Sequence, residues 1–283
     1  MPLVFVPTPL GNLRDVTLRA LDVLRNAELI VAEDTRVARK LLGGLGLEGR
    51  EIWSYREANA RRVTPAILDR ARAALVAVTS DAGMPGVSDP GSDLIAAARE
   101  AGVAVEVLPG PSAVTAVALL SGFSLRRFTF EGFPPRTRAA RRERFAHALA
   151  GGATTIWYES PQRIRAALTD LAAVAPNSRI FLVREYTKRH EQQIWGTPQH
   201  VVDRLPEPIR GEVAFAVAPC EDASEPPPST ETASEAIDAM LDDGRRIGEI
   251  AKLLAGRGLG ERRELYARAT AQKASRKTSI KER

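Results

Sequence analysis

Short apolar runs alternate with segments of helical periodicity through the first 120 residues of this chain. The runs Leu3–Val6, Leu29–Ala32 and 75–78 are continuous in apolar and β-branched residues, which is typical of strands buried on both faces of a parallel sheet. A helix is predicted to begin near Asp15 as its N-cap, with apolar residues on one stripe. Strict alternation of strands and helices predicts an α/β fold with a mainly parallel sheet and right-handed crossovers.

A second α/β unit is predicted to begin at Phe123, and its closely spaced strands favour a mixed sheet. The acidic segment that follows contains three consecutive prolines and is predicted to be a stiff linker. Beyond the linker, three short helices separated by glycines resemble a helix-turn-helix unit. The predicted organisation is a parallel-sheet domain over 1–122, a mixed-sheet domain over 123–220, a linker over 221–229, a helical domain over 230–273 and a disordered tail over 274–283.

The composition is that of an ordinary soluble protein, with 44% hydrophobic and 27% charged residues among 283. No apolar run approaches the ~18 residues that a membrane-spanning helix needs. The first residues lack the basic region of a signal peptide, so a cytoplasmic location is expected. The single cysteine, Cys220, rules out an intramolecular disulfide and fits a reducing compartment.

Positive charge is concentrated in two places, although the net charge is only +5. One basic cluster follows the start of the second unit, and the other lies in the tail beyond Leu265. Two such clusters suggest a partner that carries phosphate groups. The other interpretation is that they are solvated surfaces of an arginine-rich protein. The first cluster comprises Arg136, Arg138, Arg141, Arg142 and Arg144, with Glu143 as the one acidic residue among them.

The loop 79–91 is longer and more rigid than a plain strand-to-helix turn, which needs about 2–6 residues. It contains three glycines, two prolines and the carboxylates Asp81 and Asp89. Such a loop after a parallel strand lies where open α/β sheets bind small molecules, although it could also be an elaborate structural turn. Asp89 could contact a ligand or could only fix the loop.

Three more turns, 7–11, 33–36 and 109–112, also follow predicted strands and should reach the same edge of the sheet. The prolines of the first turn remove N–H groups that a pyrophosphate would need, which disfavours a dinucleotide. These turns tolerate a ligand without phosphate, such as S-adenosylmethionine, which is cationic at sulfur. The chain has no G-K-[ST] phosphate loop, and its three histidines are too scattered to predict a metal site.

Eight motifs occur here in the order typical of one family. The chain resembles the cytidine 2′-O-methyltransferases of small-subunit ribosomal RNA, which have the tetrapyrrole-methylase fold. The resemblance implies transfer of a methyl group from S-adenosylmethionine to a ribose hydroxyl in the decoding centre of 16S rRNA. It also implies two α/β domains, a homodimer and no metal. The motifs are VPTPLGNLRDVTLRAL, AEDTR followed by RKLL, SDAGMPGVSDPG, PGPSA, FEGFPPR, YESPQR, VREYTKRHE and GEVA.

The resemblance also implies which residues contact S-adenosylmethionine, namely Pro9, Leu10, Asp81, Gly83, Val87, Ser112, Ala113, Tyr158, Val213 and Ala214. The chain departs from the family pattern at Met84, where threonine is usual, and at Arg56 and Ala58, where histidines are common. The first change places a thioether beside the expected sulfonium. The other changes leave no histidine in that turn for RNA contact or proton transfer.

A ribose hydroxyl is a poor nucleophile, so a carboxylate that accepts its proton would accelerate transfer by ~10²–10⁴-fold. Glu33, Asp34, Glu159 and Glu185 are the candidates, because each follows a predicted strand. Asp34 is favoured, with Arg36 nearby to steer phosphate, although Asp34 could equally be a helix cap.

Arg136, Arg138, Arg141 and Arg142 are predicted to hold the RNA backbone. The C-terminal helices could form a second RNA anchor, or a dimer or stability element. Two other functions are compatible with the sequence: a precorrin or diphthine-type methylase of the same fold, and a non-catalytic RNA-binding protein.

Overall fold

The computed structural model describes residues 2–219, 233–242, 245–256 and 262–281. The chain divides into two compact units, Met1–Glu221 and Asp222–Arg283. Among the described residues, the first unit contains two five-stranded sheets, and the second contains three helices.

The first sheet has the strand order β3-β2-β4-β1-β5, and all of its described pairings are parallel. Successive side chains of a strand point to opposite faces, so Leu3 and Phe5 enter one core while Val4 and Val6 enter the other. Both faces are therefore apolar, which confirms the predicted parallel sheet. Its strands are β1 (Leu3–Val6), β2 (Leu29–Ala32), β3 (Ile52–Ser54), β4 (Val76–Thr79) and β5 (Val105–Val107).

Helices follow these strands as the sequence predicts, but the first begins later than expected. Thr17 is its N-cap, since the Thr17 hydroxyl accepts a hydrogen bond of 3.0 Å from Ala20 N. Asp15 instead ends a short 3-10 helix, Leu13–Asp15. The helices are α1 (Leu18–Asn26), α2 (Thr35–Gly44), α3 (Ala60–Ala73), α4 (Ser92–Glu100) and α5 (Ala113–Leu120).

The second sheet is mixed, as predicted, with the order β6-β7-β10-β8-β9. Only β6 and β7 run parallel among its described pairings. Helix α8 was not anticipated from the sequence, although Pro198 at its start and Thr197 as N-cap are typical signals. The elements are β6 (Phe128–Gly132), α6 (Arg138–Ala150), β7 (Thr154–Glu159), α7 (Ile164–Val174), β8 (Ile180–Arg184), β9 (Gln192–Gly196), α8 (Pro198–Arg204) and β10 (Val213–Val217).

Helix α5 ends just before the predicted domain boundary at residue 122. It lies in the sequence of the first predicted domain, yet Val114, Val117 and Ala118 pack against residues of the second sheet such as Ile156 and Phe181. This apolar helix therefore belongs by its packing to the core of the second sheet, and both sheets lie in one compact unit.

The C-terminal unit has a small core of its own, which includes Ile237, Ile250, Leu254 and Leu265. Its helices are α9 (Ala233–Asp242), α10 (Ile247–Gly256) and α11 (Arg262–Lys281). Helix α11 continues past residue 273, where disorder was expected to begin. The predicted linker 221–229 and Cys220 lie outside the described residues. Within the described ranges, no helix has the length and apolar character needed to cross a membrane.

Candidate active site

A cavity of about 590 Å³ opens where the strand ends of the two sheets face each other. This volume lies in the usual range for a small-molecule site. The C-terminal ends of β2 and β4 supply Glu33 and Asp81, and the adjoining ends of β7 and β10 supply Tyr158 and Val213. The predicted convergence of strand-end turns is confirmed for the first sheet, and the second sheet supplies the opposite side.

The first turn and the loop 79–91 are joined by backbone pairing between Thr8 and Gly83. Thr8 N donates to Gly83 O at 2.9 Å, and Gly83 N donates to Thr8 O at 3.0 Å. The Ser80 hydroxyl also donates to Gly83 O at 2.9 Å. Gly83 has φ of +82°, a conformation that residues with a side chain rarely adopt. The glycine therefore permits the turn that fixes one side of the cavity.

Three carboxylates, Glu33, Asp81 and Asp89, form an acidic rim of the cavity. Burial raises the pKa of Glu33, and the neighbouring Asp81 raises it further. Burial also raises the pKa of Asp81, although a hydrogen bond of 3.1 Å from Asp34 N to Asp81 Oδ1 opposes this shift. Burial, followed by repulsion from Glu33 and Asp81, raises the pKa of Asp89 to about 6. This rim can accept protons or attract a cationic ligand.

Asp34 has a different role from the one the sequence favoured. It is the N-cap of α2, and its carboxylate accepts hydrogen bonds from Arg36 N at 2.8 Å and from the Arg36 guanidinium at 2.6 Å. These bonds hold the pKa of Asp34 well below its usual range. The residue is absent from the lining of the cavity. A carboxylate so stabilised as an anion is a weak proton acceptor, which argues against Asp34 as the base.

The other three predicted carboxylates all line the cavity. Glu33 belongs to the acidic rim, whereas Glu159 and Glu185 are paired with basic residues. Glu159 accepts a hydrogen bond of 2.8 Å from Ser160 N and forms an ion pair of 3.0 Å with Arg163. Burial nevertheless raises its pKa. Glu185 is also partly buried, but hydrogen bonds from Lys188 Nζ at 2.9 Å and from Glu212 N outweigh this effect and lower its pKa. Both side chains are therefore held by the protein itself.

An aromatic group closes the cavity on the side of the second sheet. Tyr158 packs edge-on against Phe130, with ring centroids 4.9 Å apart, and against Phe133 at 5.9 Å. Burial, together with the charge of Asp89, raises the pKa of Tyr158 to about 12, so the phenol is neutral. Phe133 remains 53% exposed at the cavity. This ring offers a face to which a planar ligand can bind.

The predicted cofactor residues divide into two sets. Leu10, Asp81, Ala113, Tyr158, Val213 and Ala214 line the cavity. Pro9, Gly83, Val87 and Ser112 lie in the turns and packing beside it. Val87 packs against the core that α5 shares with the second sheet, and Ser112 is the N-cap residue of α5. Their contact with S-adenosylmethionine stays a prediction.

The predicted RNA-binding arginines also divide. Asp170, which is buried, accepts hydrogen bonds from Arg138 Nε at 3.2 Å, Arg141 Nε at 2.8 Å and Arg142 Nε at 2.8 Å. Arg141 is itself buried, and its guanidinium is paired with Asp170. This pairing argues against the predicted contact between Arg141 and RNA. Arg36, Arg136 and Arg138 are exposed, and Arg142 is partly so.

Several residues of the cavity escaped the sequence analysis, although motifs contained most of them. Phe133, Tyr186 and Lys188 lie in FEGFPPR and VREYTKRHE, and Val117 lies on α5. Lys188 Nζ contacts both Glu185 and Glu212 at 2.9 Å. Lys188 was not predicted because Glu212 lies 24 residues away in sequence, and only the fold brings the two side chains together. Among the described residues, no group of three or more His, Cys, Asp or Glu is arranged to hold a metal ion.

Residues 2–201 match the family model described as Tetrapyrrole (Corrin/Porphyrin) Methylases. The match covers well over half of the chain, so the protein belongs to this family and is a methyltransferase. Diphthine synthase has the same fold: its crystal structure aligns with a TM-score of 0.62 over 77% of this chain and 90% of that one, at 17% identity.

Two relatives indicate the particular branch of the family. The protein named Ribosomal RNA small subunit methyltransferase I from Neisseria meningitidis serogroup B is 40% identical over 78% of this chain and 77% of its own length. A protein of the same name from Synechocystis sp. is 36% identical over 93% of this chain and 95% of its own length. The chain is thus similar to rRNA methyltransferases along most of its length.

Proposed function

We propose that this protein transfers a methyl group from S-adenosylmethionine to the 2′-hydroxyl of a cytidine in 16S rRNA of the small ribosomal subunit. The choice of ribosomal RNA as the substrate rests on the similarity to two proteins named as rRNA small subunit methyltransferases. The resemblance of the ordered motifs to the cytidine 2′-O-methyltransferases supports the nucleotide and the acceptor oxygen.

The donor set of the cavity suits S-adenosylmethionine. Its acidic rim has acceptors for an ammonium and a sulfonium, and one oxygen of Asp89 is buried without a hydrogen-bond partner. Leu10, Val117 and Val213 give apolar surface for a nucleoside. The sulfonium supplies an activated methyl group when it is bound. Leu10, Asp81, Tyr158 and Ala214 would hold S-adenosylmethionine. Alignment of the methyl donor with the acceptor hydroxyl can lower the activation free energy of transfer by ~7–11 kcal/mol.

Phe133 and the exposed arginines suit the RNA. A base that stacks on an exposed aromatic ring gains ~1–3 kcal/mol, whatever its sequence context. Arg136 and Arg138 lie a few residues beyond this ring and are exposed, so they can contact phosphates while the base enters the cavity.

The resemblance to the cytidine 2′-O-methyltransferases also implies a homodimer. Light scattering of the purified protein tests this oligomeric state.

The decisive experiment measures transfer of labelled methyl groups to small ribosomal subunits and to naked 16S rRNA, with the modified nucleotide mapped. We expect label at the 2′-oxygen of one cytidine. An Asp81→Ala variant provides the control, because it removes one carboxylate of the cavity. Absence of label from both RNA substrates, or label on a base instead of a ribose, would contradict the proposal.

A further inference from the structure

We infer that Lys188 binds the target ribose, by donating a hydrogen bond to the 2′-oxygen that accepts the methyl group. The inference rests on the proposed function, since it names the residue that orients the acceptor in that reaction. Among the described residues that line the cavity, Lys188 is the only one with a basic side chain. The carboxylates that line the same cavity are Glu33, Asp81, Asp89, Glu159, Glu185 and Glu212.

The ammonium of Lys188 is held by two of these carboxylates. Its Nζ donates to Glu185 Oε1 and to Glu212 Oε2, each at 2.9 Å. The backbone N–H of Glu212 also donates to Glu185 Oε1, at 3.2 Å, so the carboxylate that receives Lys188 is itself fixed. An ammonium has three N–H donors, and the third has no partner among the described residues. Because Lys188 lines the cavity, this donor is available to a ligand there.

The charges around Lys188 favour a neutral oxygen as its ligand. Burial lowers the pKa of Lys188, but the hydrogen bonds to Glu212 and Glu185 outweigh this effect and raise the pKa. Lys188 is therefore protonated at neutral pH, so it can bind an oxygen but cannot remove a proton from it. The two carboxylates carry more charge than the ammonium, which disfavours an anionic ligand such as phosphate. A hydroxyl needs only the remaining N–H, because its oxygen has lone pairs that accept a hydrogen bond.

Two glycines provide the space that this arrangement needs. A Cβ on Gly11, in the turn after β1, would collide with Lys188 Cγ and would lie 2.9 Å from the backbone oxygen of Tyr186. A Cβ on Gly211 would collide with the side chain of Glu185. The stem of Lys188 thus packs closely against the backbone of a turn from the first sheet, and this packing fixes the position of its ammonium.

The backbone that carries Lys188 is strained. Glu185 has φ of +51° and Thr187 has φ of +62°, a left-handed conformation that residues with a side chain rarely adopt. Strained backbone persists where the surroundings enforce it, and it concentrates at active sites and ligand-binding segments. An ordinary surface ion pair contributes too little stability to explain such a loop. The loop 185–188 is therefore built to hold a charged donor at the cavity.

Lys188 would act by orienting the acceptor hydroxyl. One lone pair of the 2′-oxygen accepts the hydrogen bond from Lys188, which leaves the other lone pair for the methyl carbon. Lys188 keeps its own protons throughout. Misplacement of a reacting atom by about 1 Å can reduce a rate by ~10²-fold, and loss of this restraint should have an effect of that size.

The test compares Lys188→Gln with Lys40→Gln, which removes an exposed lysine of α2 that does not line the cavity. Small ribosomal subunits are reconstituted with either cytidine or 2′-deoxycytidine at the methylated position, and the affinity of each protein for both is measured. We expect the wild type and Lys40→Gln to bind the deoxycytidine subunits about 10- to 150-fold more weakly, because a hydrogen bond from a charged donor is lost. Lys188→Gln should bind both subunits equally. A loss of stability in a variant cancels, since both subunits are measured with the same protein.

Two further measurements distinguish other ligands of the cation. Single-turnover transfer at saturating subunits should be ~10²-fold slower in Lys188→Gln, while the affinity for S-adenosylmethionine in calorimetry stays within about threefold of wild type. The slope of log affinity against log salt should equal that of wild type. A slope reduced by about 0.7–0.9 would show that Lys188 contacts a phosphate, and the inference would be wrong.

The outcomes separate the two proposals. If the wild type methylates subunits but binds the two kinds of subunit equally, the hydroxyl is not held by Lys188 and the proposed function stands. If Lys188→Gln melts like wild type but binds S-adenosylmethionine about tenfold more weakly or worse, Lys188 holds the methyl donor and the inference is wrong. If the wild type does not methylate ribosomal RNA, the proposed function fails and the inference fails with it.

Discussion

Thr8 and Gly83 exchange two backbone hydrogen bonds although 75 residues separate them in the chain, and this pair joins the turn after β1 to the loop after β4. The two strands are neighbours in the sheet, so their turns meet directly at the edge where the cavity begins. The first turn is thereby fixed before any ligand binds, with Leu10 against the cavity.

Replacement of Gly83 by alanine should damage this junction. A Cβ there would lie 3.0 Å from Leu10 Cδ2, and alanine at φ of +82° costs about 1–2 kcal/mol. We expect a lower melting temperature and weaker binding of S-adenosylmethionine in calorimetry. Gly102→Ala is the matched control, because Gly102 has φ of +67° and nothing within 4 Å of the added carbon. Equal loss of ligand affinity in both variants would contradict a specific role for Gly83.

Asp34→Ala should leave methyl transfer almost intact. The carboxylate caps α2 and pairs with Arg36, and it does not line the cavity. We expect a measurable loss of thermal stability with little change in the single-turnover rate. Thr17→Ala removes the cap of α1 far from the cavity and should give the same pattern. A rate loss of ~10²-fold or more in Asp34→Ala alone would restore Asp34 as the proton acceptor.

Phe133→Ala should weaken RNA binding selectively. Loss of a stacked base costs ~1–3 kcal/mol, so the KM for RNA should rise about 5- to 150-fold while the affinity for S-adenosylmethionine stays unchanged. Phe128, which is also exposed but lies at the start of β6 and away from the cavity, provides the control variant Phe128→Ala. Loss of S-adenosylmethionine affinity in Phe133→Ala would mean that the ring contacts the methyl donor instead.

Asp170→Ala should be strongly destabilising, because it leaves the buried guanidinium of Arg141 without its carboxylate. Loss of one partner from such a pair costs about 3–5 kcal/mol, whereas Asp69→Ala at the exposed pair with Arg72 should cost under about 1 kcal/mol. Burial raises the pKa of Asp170, but the bonds from Arg141 and Arg142 outweigh it and lower the pKa. The stabilisation should thus be present at neutral pH and decline as the pH falls below about 4. Urea unfolding measures both effects.

Arg136→Gln should weaken RNA binding more at low salt than at high salt. Each lost phosphate contact reduces the slope of log affinity against log salt by about 0.7–0.9. Arg99→Gln, at an exposed arginine on α4, serves as the control for net charge. Identical slopes for the two variants in a filter-binding titration would show that the segment after Phe133 does not contact the RNA backbone.

Much of the fold could be predicted because its local signals agree with its final structure. The apolar runs of β1, β2 and β4 are buried on both faces, so their pattern alone predicts a parallel sheet. The boundaries were less accurate where a side-chain cap decides them, as at Thr17. The packing of α5 could not be predicted, because the sequence of an apolar helix does not indicate which of two sheets it packs against.

The sequence by itself determined the strand-end turns, the loop 79–91 and the family to which the chain belongs. Only the tertiary structure decided which charged groups are available for chemistry. Asp34 and Arg141 are committed to partners within the protein, whereas Asp89 has a buried oxygen without one in the described part of the chain. The physical reason is that burial and pairing set the pKa and the accessibility of a charged group, and both depend on contacts between residues far apart in sequence.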